Sequence, residues 1–147
     1  EDVNIVALSG IYETSPVQTQ GGYFLNAVAS VETTLEPLQL LKELLRIESA
    51  LGRIRRHGGT DARNIDLDLL IYGDTVIDEK GIILPHPRML GRRFVLDPLA
   101  ELEPGLIIPP TGITASEAAT RLVDSSPDQE VRRLGTLEEV SKHWADS

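Results

Sequence analysis

An α+β fold is what this 147-residue sequence predicts. Strand-like and helix-like segments alternate irregularly and hairpin signals separate several strands, which disfavours a regular doubly wound parallel sheet. The length suits one domain, and a hydrophobic fraction of 41% is enough to bury a core. No repeat or low-complexity tract interrupts the reading from residue 1 to residue 147 as a single unit.

Val3 to Leu8 (VNIVAL) is apolar and β-branched and reads as a strand, running into a loop over residues 10 to 22 rich in Thr, Ser, Pro, Gln and Gly. Tyr23 to Val31 alternates small with large side chains and reads as a second strand, paired with the first in a long hairpin. The clearest helix follows. Thr34 suits its N-cap and Pro37 its first turn, Leu40, Leu44, Ile47 and Leu51 recur at helical spacing, and Gly52 fits a C-terminal cap, which places it over roughly residues 36 to 51. Arg53 to Asn64, with two adjacent glycines and no apolar periodicity, reads as a mobile Arg-lined loop.

Ile65 to Tyr72 (IDLDLLIY) reads as a strand, and Gly73-Asp74 as a turn into a short strand near Thr75 to Ile77. Pro85-His86-Pro87 ends the segment Ile82 to Leu84, and Arg93 to Leu102 reads as a helix in which Pro98 marks a break. Beyond it, Thr114 to Val123 has the pattern of a capped helix, Glu130 to Leu134 of a short strand and Leu137 to Trp144 of a last helix or tail.

The charge is unevenly spread. Fourteen Lys and Arg against 23 Asp and Glu leave a net charge of −9, which argues against broad affinity for nucleic acid or anionic membrane. Residues 53 to 93 nevertheless hold 8 of the basic groups and 6 of the acids, so this window is +2 and the remainder −11. Seven of the eight are Arg, whose planar fork suits pairs of phosphate oxygens, so the balance points to a compact polyanionic ligand rather than a polymer. With no GxxxxGK[ST] loop and no GxGxxG, any bound phosphate must be held by side chains. The chain has no Cys, no apolar run of membrane length, and first residues (Glu1, Asp2) unlike a secretory signal, which leads to the expectation of a soluble cytoplasmic protein.

Asp66 and Asp68 are the sharpest chemical feature. Residues two apart in a strand project to the same face with Cα atoms roughly 7 Å apart, so both carboxylates converge while Ile65, Leu67, Leu69 and Ile71 face the core. Such a pair suits Mg²⁺ that completes its shell with water and phosphate, although an ordinary solvent-facing strand edge has the same alternation. Arg53, Arg55, Arg56 and Arg63 flank the glycine pair, as in a loop closing over phosphates or in a plain solvated loop. Phe24 and Asn26 share a strand face, pairing a flat ring with an amide that can read a heterocycle, yet a strand Phe equally fits a core. The second Phe, Phe94, lies next to the Arg-rich window, and His86 is held stiffly between prolines as a phosphate donor or a structural residue.

Five motifs in order, FLNAV at 24 to 28, IESALGRIRR at 47 to 56, RNIDLDLLIYG at 63 to 73, LPHPRM at 84 to 89 and RRFVLDPLAEL at 92 to 102, resemble the 6-hydroxymethyl-7,8-dihydropterin pyrophosphokinases of folate biosynthesis. The resemblance implies a ferredoxin-like α+β sandwich with helices packed on a mixed or antiparallel sheet. It implies transfer of pyrophosphate from MgATP to the dihydropterin with release of AMP. In that picture Asp66 and Asp68 hold two Mg²⁺, and Arg53, Arg55, Arg63, His86 and Arg92 contact ATP, with Arg53 and Arg63 stabilising charge at the reacting phosphorus. Phe24 and Phe94 sandwich the pterin, Asn26 reads its edge, Thr14, Ser15 and Val17 add loop contacts, and Glu48 and Leu69 lie near the nucleotide. The partners implied are ATP and the dihydropterin alone.

Three departures accompany the resemblance. The family normally opens with a strand, a GSN-like turn and a helix, and this sequence starts after them, so a central strand is expected to be missing and sheet edges left unpaired. Gly59, Thr60 and Ala62 replace an aromatic, an Arg and a Pro in the catalytic loop, and Leu45 replaces a polar residue near the nucleotide. Residues 114 to 147 resemble the family only loosely. Two alternatives share these features: a metal-dependent nucleotide phosphoesterase, and a non-catalytic ligand-binding module on the same fold.

Overall fold

A computed structural model of the chain describes residues 2–14, 24–55, 65–126 and 129–145. The architecture is α+β, and every strand pair among the described residues is antiparallel. Strands β1 (Val3–Leu8), β2 (Ile11–Thr14), β3 (Phe24–Asn26) and β4 (Ala29–Thr33) precede helix α1 (Pro37–Arg55). Then come β5 (Ile77–Glu79), β6 (Ile82–Leu84), α2 (Arg93–Leu102), β7 (Ile107–Ile108), β8 (Ile113–Thr114), α3 (Ala115–Ser125), β9 (Val131–Gly135) and α4 (Leu137–Ala145).

The expected long hairpin is split at Ser9-Gly10 and Ala27-Val28. Below the split β1 pairs with β4, and above it β2 pairs with β3, with β9 on the other edge of β2. Ser9 makes the division possible: its N–H donates to the Val28 carbonyl at 2.8 Å and its buried Oγ accepts from the Val28 N–H at 2.9 Å, so the two chains stay tied where neither sheet continues.

Helix α1 runs one turn further than its periodicity predicts. Gly52 lies inside it rather than capping it, so Arg53 and Arg55 belong to the last helical turn, not to a loop. An interior glycine costs about 1 kcal/mol relative to Ala, which does not by itself stop a helix. Pro98 likewise sits buried within α2 without ending it, although it withholds the hydrogen bond that would reach the Phe94 carbonyl. Helix α3 begins with a complete capping box, Thr114 Oγ1 accepting from Glu117 N–H and the Glu117 carboxylate accepting from Thr114 N–H. Helices α2 and α3 enclose the core, in which Met89, Leu96, Ile108 and Ala115 are at most 1% exposed.

Ile65 to Tyr72 differs most from expectation. Asp66 and Asp68 are exposed and Ile65, Leu67 and Leu69 half-buried, as in a strand, but the run forms no ladder with any described strand. It is held by Leu67 N–H to Glu48, by His86 N–H to the Leu70 carbonyl at 2.8 Å, and by the Tyr72 hydroxyl to the Leu35 carbonyl. Residues 4 to 8 of β1 are all exposed, Ile5 at 67% and Val6 at 55%, so the β1–β4 ribbon is uncovered on both sides among the described residues.

Glu101 of α2 ties the upper sheet to the helix layer. Its carboxylate accepts from the Gly10 N–H, from the Tyr12 hydroxyl at 2.7 Å and from both Nε and Nη2 of Arg133 at 3.1 Å. A Cβ at Gly10 would lie 2.7 Å from that guanidinium, so glycine is what lets Arg133 lie across the chain. The Arg133 bond, then those from Tyr12 and Gly10, hold Glu101 below the usual carboxylate range, and burial followed by Glu101 pushes Tyr12 up to about 12. A lowered carboxyl pKa stabilises the fold above the unfolded value and loses that contribution as pH falls through the folded one. Glu101→Gln is therefore expected to destabilise the protein by about 1 kcal/mol at pH 7, since the Arg133 pair is open to solvent, and by progressively less as the pH falls below the ordinary carboxyl value of 4.5, read from urea unfolding across that range.

Candidate active site

Two clefts meet at Asp66, Leu67, Asp68 and Leu69. The larger, of ≈ 1790 Å³, is lined by Thr14, Phe24, Asn26, Arg92 and Phe94 as well as by the four shared residues. The smaller, of ≈ 460 Å³, brings Glu48 and His86 to the same residues. The acid pair thus stands on the border between an aromatic, amide-bearing cleft and one that carries Glu48 and His86.

The aromatic side is built by strand register. Thr14 of β2 pairs directly with Phe24 of β3, and Tyr12 with Asn26, so Phe24 and Asn26 share a face as their spacing predicts. The Asn26 Nδ2 donates to the Thr14 Oγ1 at 3.2 Å, which orients the amide. Phe24 is 62% exposed, which excludes the core reading of that ring. Phe94, in the first turn of α2, is half-buried, and the Arg92 guanidinium stacks over it with Cζ 5.4 Å from the ring centroid. The Arg92 carbonyl accepts from Val95 and Leu96 N–H, so the residue that starts the helix also presents the cation.

Arg93 secures this helix start. Its Nε and Nη2 bind Asp97, its backbone N–H donates to the Gln129 Oε1 at 3.0 Å, its Nη1 to the Gln129 carbonyl, and Gln129 Nε2 returns to the Gly91 carbonyl. Sequence reading missed this latch, because a contact across 36 residues leaves no local periodicity.

On the other side, His86 Nδ1 accepts from the Arg88 N–H at 3.2 Å, which leaves Nε2 as the N–H donor of a neutral ring. Burial, then the charges of Arg92 and Arg88, lowers the His86 pKa, and Asp68 opposes them. Neutral imidazole is therefore the form present at pH 7, able to donate but adding no charge. The Glu48 carboxylate accepts from the Leu67 N–H at 2.6 Å, between the two aspartates.

Of the residues predicted for the site, the structure brings together Thr14, Phe24, Asn26, Glu48, Asp66, Asp68, Leu69, His86, Arg92 and Phe94 around these two clefts. Arg53 and Arg55 end α1, while Ser15, Val17 and Arg63 lie outside the described residues, as does most of the expected Arg-lined loop. Among the described residues no three His, Asp or Glu side chains cluster as metal ligands, and no helix is long and apolar enough to cross a membrane.

A family model described as 7,8-dihydro-6-hydroxymethylpterin-pyrophosphokinase matches residues 1–104, which hold every side chain lining the smaller cleft and all the predicted site residues. The chain belongs to this family. It is 39% identical over 136 residues to the 2-amino-4-hydroxy-6-hydroxymethyldihydropteridine pyrophosphokinase of Haemophilus influenzae, covering 90% of this chain and 80% of that protein. It is 42% identical over 122 residues to the protein of the same name from Methylorubrum extorquens, covering 82% and 75%. Against the folic acid synthesis protein fol1 of Pneumocystis carinii the identity is 39% over 123 residues, 83% of this chain but only 16% of that much longer protein. The pyrophosphokinase family match ends before α3, β9 and α4, yet α3 completes the core and Gln129 latches the helix that carries Arg92 and Phe94.

Proposed function

We propose that this chain transfers the pyrophosphoryl group of ATP to the hydroxymethyl oxygen of 6-hydroxymethyl-7,8-dihydropterin. The observation that carries the reading is the position of Asp66 and Asp68 on the border of the two clefts, with aromatic and amide groups on one side and Glu48 and His86 on the other. Release of AMP requires the pterin oxygen to attack the β-phosphorus, the bond from that phosphorus to the oxygen bridging to the α-phosphorus to break, and the hydroxyl proton to leave. Such a reaction asks for alignment and neutralised charge more than for covalent chemistry.

The donor set fits magnesium. Two exposed carboxylates two residues apart line both clefts, as suits an ion that keeps waters and takes phosphate oxygens. Asp66 and Asp68 would hold two Mg²⁺, which neutralise phosphate charge when bound. His86 donates through Nε2 and Arg92 through its guanidinium to phosphate oxygens. Arg53, Arg55 and Arg63 join them, Arg53 and Arg63 nearest the reacting phosphorus. Phe24 and Phe94 flank the pterin ring, the Asn26 amide, oriented by Thr14, reads its edge, and Ser15 and Val17 add contacts from the adjoining loop. Glu48 and Leu69 border the nucleotide. No nucleic acid or membrane takes part, and the reaction belongs to the cytoplasm.

Product analysis tests the proposal. The full-length protein with MgATP is expected to release AMP only when the dihydropterin is present, one AMP for each pyrophosphorylated pterin. AMP or phosphate formed at the same rate without pterin overturns it in favour of a phosphoesterase, and no turnover with tight ATP binding in favour of a binding module.

A further inference from the structure

We infer that Glu48 is a positioning residue whose carboxylate holds the backbone between Asp66 and Asp68, and so sets the separation and direction of the two metal-binding side chains. The inference rests on the reading of that pair as the magnesium site. Its basis is the bond from the Leu67 N–H to the Glu48 Oε2, 2.6 Å long and spanning 19 residues of sequence. An amide donating to a carboxylate at this distance is at the short end of charge-assisted bonds, about twice as strong as neutral ones.

The setting gives this bond its weight. Along this run the Leu67 N–H donates to Glu48, and the Leu70 carbonyl, two residues past Asp68, accepts from the His86 N–H at 2.8 Å. The Leu67 amide lies midway between the two aspartates, so moving its peptide changes the Cα positions on both sides at once. Glu48 itself sits in the long helix α1, a rigid base for such a tether. Direct ligation is the competing role for a third carboxylate in this cleft. Among the described residues no three such groups cluster at ligand geometry, and one Glu48 oxygen is already engaged by the amide.

Three variants in the full-length protein separate acceptor, charge and reach, with Mg²⁺ titrated calorimetrically in the presence of a non-hydrolysable ATP analogue and with hydrogen exchange at the Leu67 amide. Glu48→Ala removes the acceptor and is expected to weaken Mg²⁺ binding 10- to 100-fold, the usual range for residues that orient metal ligands. Glu48→Gln keeps an acceptor without charge and is expected to stay within about threefold of wild type. Glu48→Asp keeps the charge but falls one methylene short, and is expected to behave like Ala. Leu67 exchange should speed up in the Ala and Asp variants and not in Gln.

If Gln binds Mg²⁺ as weakly as Ala while Asp binds normally, charge or ligation governs and positioning is overturned. It is also overturned if Leu67 exchange does not change in Ala. Asp66→Asn and Asp68→Asn serve as the control: should both bind Mg²⁺ as wild type does, the metal reading itself fails, whatever the Glu48 variants do. If they lose Mg²⁺ and no Glu48 variant does, only the positioning role fails. Should Glu48→Ala not fold, the contrast between Gln and Asp decides alone.

Discussion

Asp68→Asn is expected to lower kcat/KM for pyrophosphoryl transfer by about 10³-fold while leaving the fold intact. The substitution is isosteric but removes the charge and much of the affinity for a hard divalent cation, and losing metal stabilisation of phosphate charge is worth several kcal/mol at about 1.4 kcal/mol per tenfold. Asp68 is exposed, so no core packing is lost and stability should move by less than about 0.5 kcal/mol. The variant has a second signature. Asp68 is the group that raises the His86 pKa against burial, Arg92 and Arg88. Removing it lets that pKa fall further, so His86 in the variant is neutral to a still lower pH, which NMR titration of the imidazole would read. A variant that keeps wild-type kcat/KM at saturating Mg²⁺ and MgATP would remove Asp68 from the machinery.

What the sequence made legible follows from the range of the interactions. Helices α1, α2 and α3 were readable because periodicity, Pro37 and the Thr114–Glu117 capping box act within a few residues. The Asp66–Asp68 pair, with Phe24 and Asn26, was readable because a period of two is local. Pairing partners were not. Tyr23 to Val31 reads as one strand, and where it divides into β3 and β4 it is tied to Ser9, 19 residues before Val28. Ile65 to Tyr72 has every local mark of a strand, yet a strand is defined by its neighbour, and none among the described residues pairs with it. The groups that steady the site, Glu48 on Leu67 and Gln129 on Arg93, act across 19 and 36 residues, beyond any motif. The resemblance puts Glu48 beside the nucleotide, but its bond to the backbone between Asp66 and Asp68 is visible in the folded chain alone.

Leu96→Ala should show the opposite pattern to Asp68→Asn, with stability lost and chemistry retained. Leu96 has 0% exposure and lies among Met89, Leu99, Ile108 and the alanines of α3. Truncating a fully buried leucine costs about 3 kcal/mol, the lost transfer free energy plus a cavity that close-packed neighbours fill only partly. For a chain of this size that lowers Tm by roughly 10 °C, a large share of a total stability of about 5 to 15 kcal/mol. The local backbone has no reason to change, since Ala is the best helix former and the Leu96 N–H still donates to the Arg92 carbonyl. Arg92 therefore keeps its place at the start of α2, with Phe94 in its first turn, and Arg93 keeps its bonds to Asp97 and Gln129. Well below the new Tm, kcat/KM per folded molecule should stay within about threefold of wild type, because the change removes no contact to substrate. Thermal melts paired with activity at 15 °C test this. A 100-fold loss of kcat/KM at full folding would mean that the core packing of α2, and not the Arg93 latch, sets where Arg92 and Phe94 stand.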